Sequence, residues 1–315
     1  MEVLFIKKIV MALLLIVLLL SACSEIEETH IKIMAPNGSP SLAQVYIEYY
    51  LPEISNVTYE IDIVNGAEPL VAAFGSESHD IIFAPTNLGA KLIDTGVPYR
   101  FTATINWGNL YLASKSNLAE LGDLEGKEVI AFGQNSTPDI ILRTLINNHS
   151  FNDAPNIRYV DSVQTSLAEL LQDSSKIVLL AEPVLSVGQV NLGSLNVIDL
   201  QNEWELLTGM PSYPQAGVFV HNRLSNEVVE AYLEQLELGI NYLIENPDLI
   251  ASYAVSLEYP FPEPVLRNAI PRSNIRFTSA VESRAALETY FGFILELQGD
   301  LINNKLPNDD FYYLP

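Results

Sequence analysis

The stretch Phe101–Asp123, FTATINWGNLYLASKSNLAELGD, constrains the chain most. Phe101, Ala103 and Ile105 alternate with Thr102, Thr104 and Asn106, which is the period of a strand. A second apolar run, Leu110–Ala113, follows Trp107-Gly108 and breaks at Ser114-Lys115-Ser116-Asn117. One reading is a single long strand of one domain with a buried Trp. The other is a strand that leaves one lobe and enters a second, because a fresh αβ pattern begins after Asp123. In that second reading Asn106, Trp107 and Gly108 lie on the floor of a cleft between two lobes, a common place for small-molecule sites.

Length and charge bound what such a chain can do. Its 315 residues leave room for two domains of roughly 100–200 residues. A hydrophobic content of 49% and a mean hydropathy of +0.19 permit a large core. The net charge of −23 argues against nucleic acid as a partner, because affinity there rests on Lys and Arg against phosphate. It also argues that any attachment to an anionic membrane needs an anchor.

The N-terminus offers one. Lys7-Lys8 is followed by the apolar run Ile9–Leu20, which is shorter than a transmembrane helix of about 20 residues. Leu20-Ser21-Ala22 then leads to Cys23, the only cysteine in the chain. This matches the bacterial lipoprotein box. Residues 1–22 are expected to be a signal peptide, Cys23 the lipidated residue, and 23–30 a polar tether on the extracytoplasmic face of the cell membrane. A plain signal peptide or anchor helix with an incidental cysteine is the alternative.

Strand and helix patterns then alternate. Ile31–Ala35 and Val57–Val64 read as strands, and Asp80–Ala84 as a continuous apolar strand of the kind a parallel sheet requires. Helices are expected over 41–51, 68–74 and 88–95, with Ser39 or Ser41 as an N-cap. Strand–loop–helix repeated three times gives βαβ units and a doubly wound sheet. After Asp123 the pattern restarts, with strands expected over 128–132, 156–160, 176–180 and 196–200. Val218–His221 is expected to return to the first lobe, and residues 225–306 read as helices.

These features resemble bacterial extracytoplasmic solute-binding proteins of ABC importers, in the group that binds sulfonates, nitrate and thiamine precursors. The residues that carry the resemblance are Asp80–Asn87 (DIIFAPTN), Trp107-Gly108, Ala181-Glu182-Pro183 and, most specifically, Leu121–Lys127 (LGDLEGK) before Val129-Ile130-Ala131. The resemblance implies an α/β, two-lobed type II periplasmic-binding-protein fold of two doubly wound sheets joined by crossing strands. Lobe one would be 31–107 and 216–315, and lobe two 108–215. It also implies capture of a small solute by a monomer and its delivery to a membrane permease.

Sites in such folds sit at strand carboxyl ends and helix N-termini. The candidate binding residues are therefore Asn37, Ser39, Thr86, Asn87, Asn106, Trp107, Gln134, Asn135, Ser136, Thr137, Glu182, Tyr213 and Gln215. None of these loops holds Lys or Arg. They suit a small polar organic ligand with a flat or apolar part, neutral or of mixed charge. Glu182 would favour an N–H-rich group, and Trp107 and Tyr213 would stack on a ring. Each also has a plainer role: the Asn residues as turns and caps, Trp107 as hinge core, Glu182 as a solvated carboxylate. His30, His79, His149 and His221 lack metal-ligand spacing, so neither a metal nor a cofactor is expected. Two further classes stay open: a surface lipoprotein that binds a protein partner, and an enzyme of cofactor synthesis on the same fold.

Overall fold

A computed structural model describes residues 29–50 and 57–314. The expected signal peptide and the Cys23 lipidation site lie outside the described residues. Among the described residues, no helix is long and apolar enough to cross a membrane.

The chain opens with β1 (Thr29–Pro36), two short helices α1 (Ser39–Leu42) and α2 (Val45–Tyr50), and β2 (Val57–Val64). It continues with α3 (Glu68–Ser76), β3 (Ile81–Pro85), α4 (Thr86–Ile93) and β4 (Tyr99–Asn106). Three residues later β5 (Leu110–Ser114) begins, followed by β6 (Glu128–Phe132), α5 (Thr137–Asn148) and β7 (Asn156–Val160). Then come α6 (Val163–Gln172), β8 (Ile177–Ala181), α7 (Val184–Leu192), β9 (Asn196–Asp199) and α8 (Leu200–Thr208). The last part holds β10 (Ala216–His221), α9 (Asn226–Glu245), α10 (Pro247–Ser256), α11 (Glu263–Ala269), β11 (Ile275–Ser279) and α12 (Ala280–Gln298).

Two sheets result. The first has the order β11-β4-β10-β3-β1-β2 and the second the order β7-β6-β8-β5-β9. The FTATIN and LYLAS halves of the central stretch therefore belong to different sheets. The fold is the two-lobed α/β fold that the resemblance implied. Neither sheet is purely parallel. β1 runs parallel to β2 and β3, but β10 is inserted antiparallel between β3 and β4. In the second sheet β6 is parallel to β7 and β8, while β5 is antiparallel to β8 and β9. In the first sheet β10 and β11 run against the other four strands, and in the second sheet β5 runs against the rest.

Burial follows strand position. β3 lies inside the first sheet, and Ile81, Ile82, Phe83 and Ala84 are all fully buried. β2 is the edge, and its Thr58, Glu60 and Asp62 face solvent, the pattern of a half-covered strand. One apolar cluster joins the lobes: α12, through Tyr290 and Phe291, packs with Trp204 of α8 and Ile141 of α5.

Two expectations change. The helix read over 41–51 is two pieces, with Ala43 and Gln44 between them, and Leu51 lies outside the described residues. Ser39 does not cap it, because Gly38 occupies the cap and the Ser39 hydroxyl points elsewhere. Within the supposedly all-helical C-terminal part, residues 275–279 form the edge strand β11, which pairs with β4. The helix behind it starts at Ala280, where Ser279 and Glu282 form a reciprocal capping box.

Candidate interlobe binding site

Two segments connect the sheets. Trp107–Asn109 runs from β4 to β5, and the stretch after α8 runs through Ser212–Gln215 to β10. Gln215 binds the two together. Its amide nitrogen donates to Asn109 Oδ1 (2.9 Å), and its Oε1 accepts the Asn109 backbone N–H (3.2 Å). Thr86, the first residue of α4, is tied to the second crossing, donating its hydroxyl to the Pro214 carbonyl at 2.6 Å.

From this junction a polar seam extends between the lobes. Asn109 Nδ2 donates to Ser39 Oγ (2.7 Å) and to the Glu182 carbonyl (3.1 Å), and Ser39 donates to that same carbonyl (3.1 Å). On the other side, Thr137 Oγ1 donates to Asn87 Oδ1 at 3.4 Å and accepts from the Tyr290 hydroxyl at 3.2 Å. Ser39, Thr86 and Thr137 each open a helix, and Glu182 lies just before one. Unpaired N–H groups and positive helix-dipole ends are thus brought to the same seam. Ser39, Thr86, Asn87, Asn109, Thr137 and Glu182 are all buried, so the two lobes meet here side chain to side chain.

Glu182 carries the strongest electrostatics. It is 2% exposed, its Oε2 accepts the Ser186 N–H in the first turn of α7 (3.1 Å), and Arg272 Nη2 lies 2.7 Å from its Oε1. Arg272 comes from the other lobe and also donates to Ser186 Oγ (2.7 Å) and Gln189 Oε1 (2.9 Å). Burial pushes the Glu182 carboxyl above its ordinary value, and the Arg272 guanidinium opposes that rise. Tyr111 adds a further tie between the lobes by donating its hydroxyl to the Arg272 carbonyl at 2.8 Å.

The other sequence-derived candidates lie elsewhere. Asn37 is half-buried and donates to Asn65 at the β1–β2 end of the sheet (3.1 Å). Gln134 and Asn135 are exposed. Asn135 sits at φ 63 and Ser136 bonds back to the Gly133 carbonyl, so this loop acts as a turn into α5. Asn106 faces β11 and donates to the Ser273 carbonyl (2.6 Å). Tyr213 is fully buried, donates to Gln201 Oε1 (2.6 Å) and packs edge-on against Trp204. It is a hinge core residue and offers no face to a ligand. Trp107 turns away from the seam and lies beneath Arg276, whose guanidinium is 4.6 Å from the ring centroid.

Sequence reasoning missed Asn109 and Arg272. Asn109 was one residue beyond the Trp107-Gly108 pair and had a detectable signal in its place on the crossing. Arg272 had none, since it is 90 residues from Glu182 along the chain.

Solved structures share this architecture. An ABC transporter from Parabacteroides distasonis superposes with a TM-score of 0.80 at 20% identity, covering 91% of this chain and 99% of that one. The ligand-binding component of an ABC-type import system from Staphylococcus aureus gives a TM-score of 0.71 at 15% identity, covering 90% and 96%. The alkanesulfonate-binding protein of Xanthomonas axonopodis gives 0.62 at 13% identity, covering 89% and 96%. At these identities the likeness establishes the fold. No curated protein matches the sequence. The family model described as menaquinone biosynthesis matches residues 108–294, more than half of the 315 residues. By that match, the chain belongs to the menaquinone-biosynthesis family.

Proposed function

We propose that this protein is the solute-binding component of an ABC importer. It holds a small polar organic solute between its lobes and offers the closed form to a membrane permease. The lobes in this reading are 31–107 with 216–315, and 108–215. The observation that carries it is the buried seam, in which Ser39 and Asn87 of one lobe meet Glu182, Asn109 and Thr137 of the other. A solute that enters there replaces contacts from both sides. Contact with both lobes is the condition under which binding shifts a two-lobed protein toward closure, with the crossings at Trp107–Asn109 and Pro214–Gln215 as hinges.

The ligand set supports a neutral or mixed-charge solute. The free chemistry is hydroxyl, amide and helix N–H, while Glu182 is already engaged by Arg272. No cofactor enters the mechanism, and the chain acts as a monomer. The lipoprotein box at Cys23 supports anchoring on the extracytoplasmic face, where a permease would receive the solute.

A second reading is an enzyme of menaquinone biosynthesis on the same fold, and the family match over residues 108–294 favours it. A thermal-shift screen on residues 24–315 tests both. The panel holds sulfonates, thiamine precursors, menaquinone precursors, amino acids, nucleobases and inorganic anions. A solute at 100 Kd stabilises by about 2.7 kcal/mol, which is readily seen. Proton NMR of the selected solute after prolonged incubation is expected to recover it unchanged. A new set of product resonances would replace the binding reading with the enzymatic one, and a response to inorganic anions alone would exclude the organic ligand.

A further inference from the structure

A cavity lies beside the two crossings, apart from the seam residues. Its volume is about 450 Å³, within the roughly 300–1,000 Å³ of small-molecule sites. None of Ser39, Asn87, Asn109, Thr137 or Glu182 lines it. Its walls come from both crossings, from the C-terminal end of α9 and from the start of β11. Trp107, Pro211, Ile244 and Pro271 supply flat or apolar surface, and Asn274 and Arg276 supply polar groups.

Arg276 sets the charge preference. It is exposed, stacks over the Trp107 ring at 4.6 Å, and pairs with no carboxylate among the described residues. That is unusual in a chain with 39 acidic and 16 basic residues, where the other described Arg side chains of this region, such as Arg267 and Arg272, are paired. A guanidinium presents a planar fork that fits a carboxylate with two parallel hydrogen bonds, and its cation–π contact fixes it at the mouth. Trp107 is 7% exposed, its backbone N–H donates to the Asn274 carbonyl (3.0 Å), and its ring is covered by Arg276, so the residue forms a fixed wall.

We propose that this hinge-side cavity is a second binding site, distinct from the interlobe seam, for a small flat monoanion such as an aromatic carboxylate. The carboxylate pairs with Arg276, and the ring lies against Trp107 and the proline walls. The site goes beyond the importer reading and does not depend on it.

Isothermal titration of the full chain with 1-naphthoate tests the site. Saturable one-to-one binding is expected, about tenfold weaker to the Arg276→Gln variant and about tenfold weaker for the uncharged 1-naphthalenemethanol. Ile244→Trp, which fills the cavity, is expected to abolish binding, and Asn87→Ala, in the seam, to leave it unchanged. Both Arg276 and Ile244 are surface positions, and an unaltered melting temperature checks that each variant is folded. Absence of saturable binding, equal affinity in Arg276→Gln, or loss of binding in Asn87→Ala would each overturn the proposal.

Discussion

Replacing Arg272 by Ala removes the only cation beside Glu182 among the described residues, while leaving the carboxylate buried and bonded to the Ser186 N–H. Loss of one member of a fully buried pair costs about 3–5 kcal/mol, because the remaining charge is desolvated without compensation. Here the Glu182 side chain is 0% exposed but that of Arg272 is 35% exposed, so water already screens part of the attraction. The cost is therefore about 2–3 kcal/mol, below the fully buried range. Glu182→Gln alone is milder, about 1 kcal/mol, because the amide oxygen still accepts the Ser186 N–H and Arg272 is left partly in water. Arg272→Ala combined with Glu182→Gln should then cost little more than Glu182→Gln, a coupling of about 2 kcal/mol.

The pH dependence is fixed by the same geometry. Glu182 has a folded-state pKa raised above the ordinary 4.5, so the folded protein binds its proton more tightly than the unfolded chain. Its contribution to stability is full below 4.5 and is lost as pH rises through the raised value. Without Arg272 the opposing cation is gone, and that window extends further upward. The deficit of Arg272→Ala should accordingly shrink on acidification, when Glu182 enters the seam neutral. Urea unfolding at pH 7 and pH 5, followed by Trp fluorescence, measures both effects. A single-mutant cost under about 0.5 kcal/mol, with no coupling in the cycle, would refute the reasoning.

Three further outcomes follow from named contacts. Asp139 is fully buried and receives Arg143 Nε and Nη2 (both 2.9 Å), the Tyr159 hydroxyl (2.5 Å) and the Asn135 N–H (2.8 Å), so Asp139→Asn should cost about 3 kcal/mol in thermal unfolding. Gly108 has φ 74, and a methyl there would come within 2.8 Å of Tyr213 Cζ and 2.9 Å of Ser212 Oγ; Gly108→Ala should cost about 2–4 kcal/mol in the same assay. Trp204 is 1% exposed and packs against Tyr213, Tyr290 and Phe293, so Trp204→Ala should lower the urea-unfolding free energy by about 3–5 kcal/mol.

The alternation of Phe101–Asn106 and the break at Trp107-Gly108 marked a strand and its interruption but fitted one long strand as well as a crossing, and only the placing of β4 and β5 in different sheets decides for the crossing. The continuous apolar run Ile81–Ala84 likewise marked an interior strand. β11 escaped because Ile275–Ser279 is short, mixes charged with apolar residues, and is stabilised by tertiary contacts, pairing with β4 and burial of Ile275, that no local pattern encodes. The split between α1 and α2 was hidden for a related reason: the apolar spacing of Leu42, Val45 and Tyr46 suits one helix, while the Ser39 hydroxyl is drawn to Glu182 across the seam.

The site was legible by position more than by role. Helix openings mark Ser39, Thr86 and Thr137, and the structure gathers them around the two crossings. The Asn135 and Ser136 side chains could serve a turn or a ligand equally well on paper; the left-handed backbone of Asn135 with its N–H on Asp139, and the Ser136 hydroxyl on the Gly133 carbonyl, decide for the turn. The pairing of Glu182 with Arg272 is a purely tertiary fact, and it converts a supposed ligand carboxylate into a tie between the lobes.

The most direct test of the binding account is isothermal titration of the solute selected by the thermal screen against the wild type, Asn87→Ala and Thr137→Val. One-to-one binding that weakens at least about tenfold in both variants is expected, since each removes a hydrogen-bonding group from a different lobe. Equal affinity in all three proteins would contradict a solute held in the seam between the lobes.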